Sequence, residues 1–382
     1  KKMKIFFNII LALIIFTTSM NAEEGHEGHD HGAHGGEGFY GHLELNIFAD
    51  KITSVSSDGK YEELYSHSHA ELGYGFGEGW SINSNTKLEG GPDGDAHAHG
   101  GYATPAGKDH GIDDHMLVLE TLQLNYDSDN FSGYIGKFNP VVGFNYHNFP
   151  GMYGYQVIEA YQIKEKIGFG GILKNDTGYY GNHKLNLSTF FADTGPFSDS
   201  LFFERGHNSK EDSGVSNTED FSSYAISYSG SNLSMFNNFF MEGLSYRFGF
   251  AEQAAGINDA TDNSKYSASL MHKQDLSNDL TSKFIFERMH IDNKAGEAAH
   301  NRSHTTGGFG LYNKEWSFGT TYTYTDNDAD EADEGHNGKV FQASIGYNIA
   351  PGMEINFGYK SQDLDDKENE RLGINFKLSQ GF

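Results

Sequence analysis

The sequence predicts an all-β fold, a transmembrane antiparallel β-barrel of about sixteen strands with short periplasmic turns and long external loops. Three observations carry that expectation. The chain closes on an alternating segment in which Leu372, Ile374, Phe376, Leu378 and Phe382 hold one parity and Gly373, Asn375, Lys377 and Ser379 the other. It opens on Lys1, Lys2 and Lys4, an apolar run from Ile5 to Phe16 and the small-polar stretch Thr17 to Ala22, the layout of a secretory leader. Between the two ends, alternating segments recur at gaps that are short and long in turn. A strand repeats every second side chain, so each segment shows one apolar face and one polar face, and a terminal aromatic falls where an interfacial girdle sits.

Taken in order, residues 1–22 form the leader, 23–38 a tail rich in His, Gly and acid, and 39–382 the barrel. Strands are expected at 39–50, 63–76, 79–90, 114–126, 130–139, 157–174, 182–193 and 220–230. The second half continues at 240–251, 264–275, 279–291, 303–313, 315–326, 338–349, 352–362 and 368–382. The alternation is clearest where Phe341, Ala343, Ile345, Tyr347 and Ile349 interleave with Gln342, Ser344, Gly346 and Asn348. It is poorest at 279–291, where Glu287, Arg288 and His290 interrupt it. The tight gaps carry turn residues, as at Gly77-Glu78, Ser277-Asn278 and Ala350-Pro351. The long gaps, 91–113, 140–156, 194–219, 252–263, 292–302 and 327–337, become external loops if both termini lie in the periplasm.

Composition narrows the function classes. After Ala22 no apolar run approaches the ~20 residues of a helical span, yet 14% of the chain is aromatic and 48 residues are Gly. A barrel accounts for both, with aromatics at the two interfaces and a polar lumen that keeps the mean hydropathy at −0.58. The absence of Cys rules out disulfides and thiolate metal sites, and a net charge of −26 argues against nucleic acid as partner. No serine–histidine–acid spacing, phosphate loop or paired-carboxylate signature stands out, so an enzyme is not expected.

Two patches resemble a known family. Gly133-Tyr134-Ile135-Gly136-Lys137-Phe138-Asn139-Pro140, with Phe149 to Gly154 and Glu165 to Gly171, is similar to a little-characterised family of proteobacterial outer-membrane porins. So is Phe190 to Thr194 with Ser200-Leu201, Arg205-Gly206 and Ser213 to Asp220. The resemblance implies a passive diffusion channel for small hydrophilic solutes and ions in a Gram-negative outer membrane, among lipid and lipopolysaccharide, as a homotrimer and with no required cofactor. It also implies that the third external loop, 140–156, folds inward and narrows the barrel. The residues agree, since Val141, Val142, Phe144, Tyr146, Phe149, Met152 and Tyr153 are too apolar for a free surface loop.

Selectivity in such a channel comes from charges at the constriction. The candidates are Lys137, Phe144, Tyr146, Lys164, Lys166, Arg247, Glu354 and Lys360; Lys184 and Lys377, opposed by Glu44 and Glu71, are also expected to face inward. Histidines form a second set. His26, His29, His31 and His34 lie in the acidic tail, while His42, His67, His69 and Glu71 share the lumen parity of the first two strands with Glu44. Neutral imidazoles beside carboxylates suit zinc or another divalent cation, which leaves a metal-uptake channel as the alternative. The bland reading of the same histidines is ordinary polar lining.

Overall fold

The computed structural model describes residues 37–55, 62–90, 115–202, 205–233, 243–328, 337–364 and 367–382. The expected leader, the four tail histidines and the whole of the expected loop 91–113 lie outside these residues. The strands are β1 (Glu37–Val55), β2 (Glu62–Gly77), β3 (Trp80–Gly90), β4 (His115–Asp127), β5 (Phe131–Phe138), β6 (Lys166–Asp176), β7 (Asn182–Ala192), β8 (Leu201–Phe202) and β9 (Ser223–Ser231). They continue as β10 (Leu244–Gln253), β11 (Asn263–Ser277), β12 (Leu280–Asp292), β13 (Asn301–Tyr312), β14 (Trp316–Asp328), β15 (Gly338–Ala350), β16 (Met353–Leu364) and β17 (Lys367–Gly381). One short helix, α1 (Gln156–Tyr161), interrupts the pattern among the described residues.

Sixteen of these strands form a closed antiparallel barrel, β8 being a two-residue segment that pairs only with the outer end of β4. Closure occurs where β17 returns to β1, with Leu45 opposite Leu378, and Gly41 and the terminal Phe382 exchange backbone hydrogen bonds at 2.9 and 3.0 Å. A closed ring leaves no strand edge unpaired, which is what a lipid environment demands of a sheet. The hairpin turns follow their residues. Glu78 and Gly79 both hold positive φ, 51° and 83°, as a two-residue turn between twisted strands requires.

The two faces sort as the alternation predicts. Leu72, Ile82, Leu124, Ile135, Phe169, Phe248, Phe284, Ile345, Phe357 and Ile374 are exposed on the outside, while Ser81, Thr121, Ser227, Thr323 and Asn375 are buried inside. Trp80 packs on Tyr126 and Trp316 on Tyr347 close to the tight turns, which builds an aromatic girdle at the periplasmic rim. Among the described residues no helix is long and apolar enough to cross a membrane; the strands do the crossing.

Two expectations need correction. The strand expected at 157–174 begins only at Lys166, because Val157, Ile158 and Tyr161 recur at helical spacing and bury one face of α1 in the lumen. Lys164 therefore belongs to the inserted segment and not to the wall. The irregular stretch 279–291 is a regular strand in which Ile285, Glu287, Met289 and Ile291 point inward, and Arg288 and His290 outward. Its inner face is apolar because it packs against that same segment.

Candidate functional site

The connection between β5 and β6, residues 139–165, turns into the barrel and crosses to the far wall. Its side chains Val142, Phe144, Tyr146, Phe149, Val157, Ile158, Tyr161 and Ile163 form one buried cluster with Phe190, Ala225, Ala251, Ile285, Met289, Ile291 and Val340 of the wall. Much of the apolar inner surface of the wall lies where this segment packs on it.

Polar contacts fix the segment along its length. The Arg247 guanidinium donates to the Gly143 carbonyl at 2.9 Å, Ser267 Oγ to the Val142 carbonyl at 2.9 Å and Gln342 Nε2 to the Pro150 carbonyl at 2.7 Å. The Met152 amide donates to Ser344 Oγ at 3.0 Å, Tyr153 Oη to Asp50 Oδ1 at 2.6 Å and Lys265 Nζ to the Tyr161 carbonyl at 2.6 Å. Buried Glu287 accepts from the Phe144 amide at 2.7 Å and from Tyr161 Oη at 2.6 Å. These partners stand on β1, β10, β11, β12 and β15, so the segment is held across the lumen and not merely at its root.

Steric fit accompanies the bonds. A Cβ placed on Gly249 would meet the Val142 carbonyl, on Gly308 Pro150, on Gly319 the Gly151 backbone, on Gly358 Met152 and on Gly373 Tyr153. Wall glycines thus make room for the inserted segment, for its backbone at Gly249 and Gly319 and for its side chains at Gly308, Gly358 and Gly373.

The densest charge cluster anchors α1. Glu159, 1% exposed, accepts from Lys87 at 2.7 Å and faces His67 at 3.0 Å and Lys164 at 2.5 Å, while Lys87 also pairs with Glu120 at 3.0 Å. Burial works against the charge of Glu159, but Lys164, Lys87 and His67 outweigh it and hold the carboxyl well below its usual range. His67, Glu89 and Glu159 come close enough to share an ion, yet Lys87 and Lys164 already supply the positive charge there.

On its periplasmic side the segment borders a cavity of about 1110 Å³ lined by both polar and apolar side chains. Phe144, Tyr146, Arg247 and Glu354 line it. Lys164, Lys166 and Lys360 do not, Lys360 being buried with Nζ donating to Gln156 Oε1 of α1 at 2.6 Å. Lys137 is also absent from the lining: it is buried against Glu165 at 3.0 Å and Asp193 at 2.9 Å, and joins the loop before β9 to the inserted segment. Acids prevail on one arc of the cavity wall, with Glu354, Glu44, Glu71, Glu120 and Asp127 on β16, β1, β2 and β4 and Lys377 of β17 among them, and bases on the other, with Lys174, Lys184, Arg247, Lys273 and Lys283 on β6, β7, β10, β11 and β12.

The expected histidine neighbourhood exists, shifted by one residue: Glu44 stands opposite His69 and His42 opposite Glu71. His42, Glu44, His67 and Glu71 all line the cavity. Sequence reasoning missed Lys87, Glu120, Glu159, Glu287 and His147. The signal for Glu159 was there, an acid enclosed by Val157, Ile158 and Tyr161 at helical spacing.

A closed sixteen-strand barrel with an apolar exterior, a polar lumen and an inserted segment defines the class: an outer-membrane β-barrel fold. Among solved structures the chain is similar to the outer-membrane channel DcaP of Acinetobacter baumannii, at 11% identity and a TM-score of 0.54 over 94% of this chain and 100% of that one. It is also similar to the outer-membrane protein opdK from Pseudomonas aeruginosa, at 10% identity and a TM-score of 0.51 over 91% and 100% of the two chains. At such identity the likeness is one of fold. No protein-family model matches the sequence, and no curated protein matches it.

Proposed function

We propose that this chain is a passive porin, a water-filled channel for small hydrophilic solutes and ions, with residues 139–165 as its constriction. The observation that carries the reading is the segment held across the lumen beside a cavity of about 1110 Å³ with charged residues of both signs in its wall. An adhesin or purely structural barrel has no use for a lumen segment bonded to five separate strands next to such a space.

Facing acidic and basic walls suit solutes that carry both signs, and they favour weak over strong ion selectivity. Assembly as a homotrimer and contact with lipopolysaccharide belong to the same proposal, since porins of this strand number associate in that way. The test is single-channel recording of the full chain in planar bilayers. Ohmic steps, with release of small sugars or amino acids from loaded liposomes, support the porin; a barrel that inserts and passes no current removes it.

A further inference from the structure

His147, on the short turn Tyr146–Asn148 of the inserted segment, comes against the wall histidines. Its ring centroid lies 5.2 Å from that of His69, and His69 lies 6.5 Å from His42. Two imidazoles on one tetrahedral metal, with bonds of about 2.0–2.1 Å, put their centroids about 5 Å apart. The His69–His147 pair already has that spacing, and His42 stands diagonally across from His69 on the neighbouring strand.

Glu44 supplies an oxygen donor. It is the cross-strand partner of His69, and its carboxylate is held by Lys377 at 2.9 Å and Asn46 at 2.6 Å. Lys377 is the more exposed member of that ion pair, at 35% against 9%, so its ammonium can swing into the cavity and yield the carboxylate to a cation. His42, Glu44 and His147 line the cavity, which gives an ion a path to them. Nitrogen-rich donors without thiolate select borderline divalent transition metals over calcium or magnesium.

We propose that His69, His147 and Glu44, with His42 as the fourth donor, form a binding site for a divalent transition metal of the zinc type. Its distinctive property is that one ligand rides on the inserted segment and the others on β1 and β2. Occupancy therefore ties the constriction to the wall, on the side opposite the Glu287 contacts. The site is independent of which solutes the channel passes.

The test uses the full chain in detergent with His26, His29, His31 and His34 replaced by Ala in every sample, so that tail histidines contribute nothing. Titration with Co²⁺ is followed by its visible ligand-field bands and by calorimetry. The expected result is one saturable equivalent, weakened at least about tenfold by His69→Ala or His147→Ala and unaltered by the control His183→Ala. Undiminished bands and stoichiometry in the His69→Ala/His147→Ala double variant overturn the proposal. A second measurement needs no ligand-site variant: Zn²⁺ should protect His147 and His42 from diethylpyrocarbonate in the otherwise native barrel. Equal modification with and without Zn²⁺ overturns it as well.

Discussion

Replacing Glu159 by Gln isolates the anchoring of α1 from the stability of the wall. The carboxylate is buried, and its loss leaves Lys164 without that ion pair and Lys87 with Glu120 at 3.0 Å. Removing one partner of a buried pair costs about 3–5 kcal/mol, and the retained Lys87–Glu120 contact argues for the lower figure. At ~1.4 kcal/mol per factor of ten, about 3 kcal/mol shifts the balance between docked and released segment roughly a hundredfold. The strand ladder does not involve Glu159, so the barrel should still form and show heat-modifiable mobility. In planar bilayers Glu159→Gln should add brief openings above the wild-type level, about a hundred times more frequent than in the parent. An intact variant with wild-type traces would refute the anchoring argument. A variant that no longer forms a barrel would show that Glu159 holds the wall and not the segment.

Arg247→Glu reverses a charge that lines the cavity beside Phe144, so the reversal potential in a salt gradient should move toward cations; no movement would place Arg247 away from the narrow part. Gly319→Val pushes a side chain into the Gly151 backbone, and overpacking of about 1–3 kcal/mol should loosen the segment and raise mean conductance. The same change should leave barrel assembly, read from gel mobility, intact. The depressed carboxyl of Glu159 fixes the pH response: its contribution is complete above the ordinary carboxylate value of about 4.3 and is lost as pH falls through the lower folded value. Conductance noise should therefore stay flat from neutral pH to about 4.5 and rise only in stronger acid; a rise between about pH 6 and 5 would implicate a different group.

Strand positions were legible because one side chain in two faces lipid, and lipid tolerates few exceptions. Every described barrel strand overlaps its expected range, and the tight turn expected at Gly77-Glu78 falls one residue later, at Glu78-Gly79. Legibility failed where both faces of a segment are apolar. Ile285 and Met289 face the inserted segment while Phe284 and Phe286 face lipid, so β12 lost its contrast. In 157–165 the helical period is hard to tell from the front of a strand, since Val157, Ile158, Tyr161 and Ile163 also suit a buried strand. The apolar character of Phe144 and Tyr146 pointed to insertion, but the extent of the inserted segment did not show. Nor did its clamps, because Lys87, Glu120 and Glu287 look in sequence like ordinary polar lining. Their burial depends on a segment that arrives from elsewhere in the chain.

The central claim is that residues 139–165 set the width of a conducting channel. Deleting Phe144 to Pro150 and comparing single-channel conductance and solute size limit with the full chain tests it most directly. The account predicts larger conductance steps and entry of larger sugars through a barrel that still assembles. Unchanged conductance from the deleted form would contradict it.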